Sequence, residues 1–250
     1  SDVCSSDLVD PGWLAALLDA VAIAPDICMG ASKMVFAHRP DIIDSTGICV
    51  DRVGIIWDRR GGKIDNGGEA QPVEVFGPCG GAALYRRAML DQIGLFDEDF
   101  FAYMEDVDLA WRAQRAGWRA VYVPAAKVVH HHSATGGEGS AFKGFHLGRN
   151  KVWTIVKNYP FLQLWYYVPL MILYDFLAFS YALLFQRNSH ALRGRLAALG
   201  RVKSMWHKRR ALSPQKTGTR CLSAITWPWQ VPARYYKFAA ADRADSKVSV

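Results

Sequence analysis

The sequence predicts an α/β domain followed by membrane-associated helices, and three observations carry that prediction. Short apolar strands alternate with helix-patterned segments up to about Arg149, the pattern of an α/β unit. Beyond it, Pro160 to Phe185 (PFLQLWYYVPLMILYDFLAFSYALLF) is apolar over a length sufficient to cross a bilayer. Immediately after it, Arg187 to Arg220 holds ten Lys/Arg and no acid, leaving 20 basic against 23 acidic residues elsewhere. The protein is thus a slightly acidic body carrying one basic segment. Its 250 residues are 51% hydrophobic and 12% aromatic, enough to build a core and to exclude a disordered chain.

Each element follows from local chemistry. Asp10-Pro11 before GWLAALLDAVA reads as a capped helix, with Asp at the N-cap and Pro at the first helical position. Pro25-Asp26 ends it, and ICMGASKMVFA is short, apolar and strand-like. Asp41 to Glu69 is rich in Gly and Asp, the composition of turns between short strands. VEVFG, Val73 to Gly77, is a further strand leading into PCGGAALYRRAMLDQIGLFDEDF. Asp106 to Ala116 forms a helix stopped by Gly117, and WRAVYVP after it is a strand. The five cysteines are scattered without a CxxC pair, which suits a reducing compartment and gives no zinc framework. The tail from Lys216, with Trp227-Pro228-Trp229 and Tyr235-Tyr236, has no assigned role.

The chemistry lies between Gly77 and Gly137. GPCGGAALYRR puts glycines where backbone must approach something closely. YMEDVDLAWR places Glu105 and Asp106 in a helix's first turn, where exposed N–H groups stabilise ionised carboxylates. Such a carboxylate at a loop–helix junction serves as a general base; it serves equally as a simple cap. Asp108 and Arg112, spaced i,i+4, read as a surface ion pair worth little. His130-His131-His132 follows a strand end, a place for a metal-binding imidazole or for a loop of solvated histidines.

Together these motifs resemble the second half of bacterial family 2 glycosyltransferases, nearest to the rhamnosyltransferase-like branch. The order is the signature: GG-A-x-x-x-RR, GLFDEDFF, EDVDLAWR, a Gly-ended helix, then H-x-x-S. VDPGWLAALL and RNKVWTIVKNYP also look like the family, so the resemblance runs from Val9 to about Arg210. It implies a partial GT-A nucleotide-sandwich (Rossmann-like) domain. It also implies a nucleotide-sugar donor, a glycan or lipid-linked acceptor and a divalent metal, Mg or Mn. In the family the Asp of the ED pair deprotonates the acceptor, which falls on Asp106; Glu105 orients the acceptor or shares the site. Gly80, Gly81 and Ala82 would line the floor where donor sugar and acceptor meet, and His130 matches a metal ligand. The metal neutralises charge on the departing diphosphate. A catalytically inactive membrane-bound scaffold is the alternative reading, and a His-centred metal hydrolase a distant third.

One departure stands out. Relatives carry an Asp-x-Asp-like metal motif just before the stretch matching VDPGWL, where this chain has Ser6-Asp7-Leu8. Asp7 falls between the two acidic positions, so the role is not transferred to it. SDVCSSDL is the translation of TCA GAC GTG TGC TCT TCC GAT CT, a common sequencing-adapter end. Residues 1–8 are therefore expected to be an adapter artefact fused to a truncated gene, with 9–150 the C-terminal part of a GT-A domain. On that expectation the donor-binding half is missing, the chain is inactive and poorly folded, and strands from Ile27 onward lose their sheet neighbours.

Residues 151–215 are expected to form the membrane-associated and basic segment, and 216–250 a tail. Trp165, Tyr166, Tyr167, Tyr174 and Tyr181 are spread along the apolar stretch rather than at its ends, which favours an interfacial element broken at Pro169. A nucleotide-sugar domain and a basic flank both belong on the cytoplasmic face of the membrane, so peripheral or monotopic attachment is expected. Arg193, Arg195, Arg201, Lys203, Lys208, Arg209 and Arg210 would then touch an anionic membrane surface, and no nucleic acid is expected as partner.

Overall fold

The computed structural model describes residues 7–131, 140–185 and 188–212, and the backbone of 225–226. Two long strands organise it: β2 (Ile27–Phe36) and β8 (Arg119–His130), paired in parallel. Around them β1 (Leu8–Val9), β3 (Ile43–Ser45), β6 (Val73–Val75) and β7 (Ala83–Tyr85) complete a six-stranded sheet. β3 and β7 flank β2, while β1 and β6 flank β8, all antiparallel. A second sheet joins β4 (Ile48–Asp51) to β5 (Ile56–Asp58) and to the two-residue β9 (Ile225–Thr226).

The sheet is covered on both faces, which is why β2 is buried almost throughout. Alternation along β8 sends Val121 and Val123 to α1 (Trp13–Ala22), where they pack with Leu17, Ala20 and Val21. Ala120 and Tyr122 belong to the larger core with Leu109, Ala110 and Trp111 of α3 (Glu105–Ala116). Gly117 ends α3 in the left-handed conformation at φ 90°, as its sequence position predicts. α2 (Arg87–Ile93), α4 (Ala141–Asn158), α5 (Phe161–Phe185), α6 (His190–Leu199) and α7 (Val202–Ala211) complete the described helices. α4 crosses α6 at close range: a Cβ at Gly148 would lie 2.3 Å from the Ala191 carbonyl oxygen, and one at Gly194 2.0 Å from that of Phe145.

Several expectations are corrected. Among the described residues the strand beginning at Ile27 keeps neighbours on both sides, β8 on one and β3 and β7 on the other. α1 starts at Trp13, because Asp10 to Gly12 forms a turn in which the Trp13 N–H donates to the Asp10 carbonyl at 2.9 Å. The change of character placed after Arg149 falls inside α4, which runs unbroken to Asn158. α5 is likewise continuous through Pro169, a residue that removes one hydrogen bond without forcing a break.

The largest correction concerns charge. Asp108 and Arg112 are not on the surface: their side chains are 0% and 5% exposed. Asp108 accepts from Arg112 Nε (2.9 Å), Lys157 Nζ (2.8 Å) and Asn158 Nδ2 (2.7 Å). Arg112 in turn donates to the carbonyls of Ile93, Gly94 and Leu95, fixing the GLF loop. The basic segment is also partly spent inside the protein. Arg195 pairs with Asp175, Arg201 with Asp99, and Lys208 with Asp97 and Asp99, while Arg209 donates to the Val156 carbonyl. Of the seven basic residues assigned to lipid, these four thus make contacts within the protein; Arg193, Lys203 and Arg210 are exposed, as is the paired Arg201.

Candidate active site

The loop before β7 and the first turn of α3 meet at Gly80. Its N–H donates to Asp106 Oδ2 at 2.8 Å, and Asp106 Oδ1 accepts the Val107 N–H at 2.7 Å. A Cβ at Gly80 would stand 3.3 Å from both Cβ and Oδ2 of Asp106, so glycine here is a matter of close approach. Gly81 faces the other way, with a Cβ position 4.0 Å from His130 Nε2 and 3.0 Å from Met34 Cε. Ala82 is buried behind it against Met34 and Val128. The glycine pair therefore sits between Asp106 and His130, bringing five of the six sequence-selected residues around one loop. Glu105, the sixth, precedes Asp106 in the same turn.

Burial controls both acids. It pushes Glu105 up to about 7, with the Asp106 charge adding to the effect and a backbone hydrogen bond opposing it. Glu105 Oε2 is buried and has no hydrogen-bond partner. Asp106 is raised above the usual carboxylate range by burial, against the N–H groups of Gly80 and Val107. Two neighbouring carboxyls with raised affinity for protons are suited to accepting one from a hydroxyl near neutral pH. Tyr85, on the strand leaving the loop, has a buried hydroxyl without a partner, and burial and the two acids raise it well above the ordinary phenol range.

His130 ends β8, where its Nδ1 lies 2.5 Å from Asp44 Oδ2 on β3. That contact orients the ring. Nε2 then lies 3.9 Å from Asp7 Oδ1, and the Asp7 side chain is fully buried with both oxygens lacking a hydrogen-bond partner. Sequence reasoning missed Asp7 and Asp44. Asp7 is out of register with the expected motif, and Asp44 lies in a Gly/Asp-rich stretch that reads only as turns. Among the described residues no group of three or more His, Cys, Asp or Glu is arranged to hold a metal by itself. An orphaned buried carboxylate beside an oriented imidazole nevertheless fits a divalent cation whose remaining ligands come from substrate oxygens. His131 is exposed, and His132 lies outside the described residues.

Comparison with known proteins agrees with this arrangement of motifs. Segments of 62 residues are 50% identical to the N-acetylglucosaminyl-diphospho-decaprenol L-rhamnosyltransferase of two Mycobacterium tuberculosis strains, covering 25% of this chain and 20% of each relative. A 135-residue segment is 26% identical to the O-antigen biosynthesis protein RfbC of Myxococcus xanthus, covering 52% of this chain and 10% of that protein. The chain thus matches a fifth or less of the length of these relatives. The family described as Glycosyl transferase family group 2 matches residues 7–236, nearly the whole sequence, and the chain belongs to that family.

Proposed function

We propose that this chain forms the acceptor side of a GT-A type inverting glycosyltransferase, moving a sugar from a nucleotide-sugar donor to a lipid-linked or cell-envelope glycan. Rhamnose is the first candidate sugar, supported by the name of the mycobacterial relative. The observation that carries the reading is Asp106, held on the Gly80 N–H at 2.8 Å at the loop–helix junction. An acceptor hydroxyl bound beside it gives its proton to Asp106 as the oxygen attacks the anomeric carbon in line. Attack from the face opposite the leaving diphosphate inverts that centre. Glu105 accepts from a second acceptor hydroxyl or, when protonated, donates to it.

A divalent metal, Mg or Mn, would be held by His130 Nε2 and the Asp7 carboxylate, with Asp44 holding the ring. Bound there, it neutralises charge developing on the diphosphate. The apolar α5 supports membrane association: it is the one described helix long and apolar enough to cross a bilayer, and only 6% of its most apolar window is buried. We place it on the cytoplasmic face as a monotopic element, with Arg193, Lys203 and Arg210 meeting anionic lipid.

The test is transfer itself. Membranes carrying a full-length protein that contains this chain are incubated with a panel of labelled nucleotide sugars and lipid-linked acceptors, and the product's anomeric configuration is read by NMR. Transfer with inversion is expected; retention of configuration, or no transfer from any donor, contradicts the reading.

A further inference from the structure

We propose that Asn150 of α4, oriented by Arg149, is a positioning residue for the Glu105–Asp106 pair. It holds the turn Phe101 to Met104 in the conformation that delivers Asp106 to Gly80.

That turn is strained. Phe101, Tyr103 and Met104 adopt φ of 62°, 65° and 68°, left-handed values that bulky side chains rarely take. Such a turn persists only where its surroundings dictate it, and here the constraint is visible. Asn150 is 0% exposed, and its Nδ2 lies 2.9 Å from the Phe100 carbonyl, 2.8 Å from that of Ala102 and 2.7 Å from that of Tyr103. Two N–H groups serve three inward-turned carbonyls, so one bond is shared. Asn150 Oδ1 accepts from Arg149 Nε at 2.9 Å, which fixes which end of the amide faces the turn. Arg149 Nη2 also donates to the carbonyls of Asp99 (3.2 Å) and Phe100 (2.8 Å), and its guanidinium lies 4.4 Å over the Trp153 ring.

Only an amide meets these demands. An aspartate would set a negative charge against three carbonyl oxygens, and an apolar residue would take this donor away from the Ala102 and Tyr103 carbonyls. Because Met104 directly precedes Glu105, the direction in which α3 starts is set by this turn. α4 thereby reaches the acids without touching them. The catalytic meaning of the clamp rests on the reading of Asp106 as base, whereas the clamp itself is testable without turnover.

The full chain in detergent is compared with Asn150→Ala by amide hydrogen exchange and by carboxyl 13C titration of Glu105, whose neighbours are Asp106 and the Tyr85 hydroxyl. Exchange of the Gly80 amide is expected to accelerate roughly tenfold relative to amides of α1. The Glu105 midpoint is expected to fall by about one unit or more as the turn opens to water. Arg149→Met, which keeps the amide but removes its orienting partner, gives smaller shifts of the same sign and decides the matter if Asn150→Ala does not fold. Thr154→Ala, buried on the same helix and not one of the clamp's contacts, loosens packing without touching the carbonyls or Arg149 and should move neither readout. The proposal is overturned if Gly80 exchange and Glu105 titration are unchanged in the folded variants, or if Thr154→Ala reproduces both shifts. Neither readout depends on transfer, so a failure of the enzymatic reading leaves them intact and distinguishable.

Discussion

Asp106 Oδ2 accepts the backbone N–H of Gly80 at 2.8 Å, tying the first turn of α3 to a glycine loop 26 residues upstream. The bond places the acid, and the glycine admits it. Gly80→Ala sets a methyl 3.3 Å from both Cβ and Oδ2 of Asp106. Displacing the acid this way should lower transfer about 10- to 100-fold. The melting temperature should move by only about 3 °C, so kinetics and calorimetry together separate misplacement from unfolding.

Asp108 is the anchor of the buried charge network beneath the site. Removing it leaves Lys157 and Arg112, 4% and 5% exposed, without their shared carboxylate. Asp108→Ala should therefore destabilise the fold by about 3–5 kcal/mol, read from urea unfolding. The exposed pair Arg87–Asp91, also spaced i,i+4, should contribute within about 0.5 kcal/mol.

Stability should fall on both sides of mildly acidic pH. Glu105 and Asp51 are raised by burial to about 7 and about 6, so the folded state binds protons that the unfolded chain has released. Their contribution is complete below pH ~4 and is lost as pH rises through 6 to 7. Asp97 behaves oppositely: burial pushes it up, but hydrogen bonds from Lys157 and Lys208 outweigh this and hold it at about 2. Its contribution is present above pH ~4 and is lost as pH falls toward 2. Urea midpoints should peak near pH ~4–5, and Glu105→Gln should flatten the decline toward pH ~8.

Membrane binding should be apolar first and electrostatic second. Leu173 and Phe176 are 51% and 65% exposed on α5, while Arg195, Lys208 and Arg209 nearby are half-buried in contacts within the protein. Co-sedimentation with neutral phosphatidylcholine vesicles should persist at high salt, and Leu173→Lys with Phe176→Lys should weaken it about tenfold or more.

The strand at Ile27, the helix ending at Gly117 and the glycine loop before Tyr85 were legible in the sequence because each has a local cause: a short apolar run, a left-handed stop, a close approach. What escaped depends on the third dimension. An i,i+4 Asp–Arg pair looks the same exposed or buried, so Asp108 and Arg112 read as surface residues until α4 covered them. The role of Arg149-Asn150 left no mark on side-chain pattern, because its partners are backbone carbonyls 47 to 50 residues away. Pro169 read as a break, since sequence reports the lost N–H but not the helix continuing past it. Asp7 was out of register with the expected motif and lay within the eight residues expected to be an artefact, and only the fold shows its buried carboxylate beside His130.

The most direct measurement is initial-rate transfer by a full-length protein that contains this chain, carrying Asp106→Asn and checked for folding by its Gly80 amide protection. Asparagine retains an oxygen to accept that N–H but cannot take a proton. The rate should fall about 10³-fold or more with the nucleotide-sugar KM little changed. A folded Asp106→Asn protein that transfers sugar at the unmodified rate would contradict the assignment of the base.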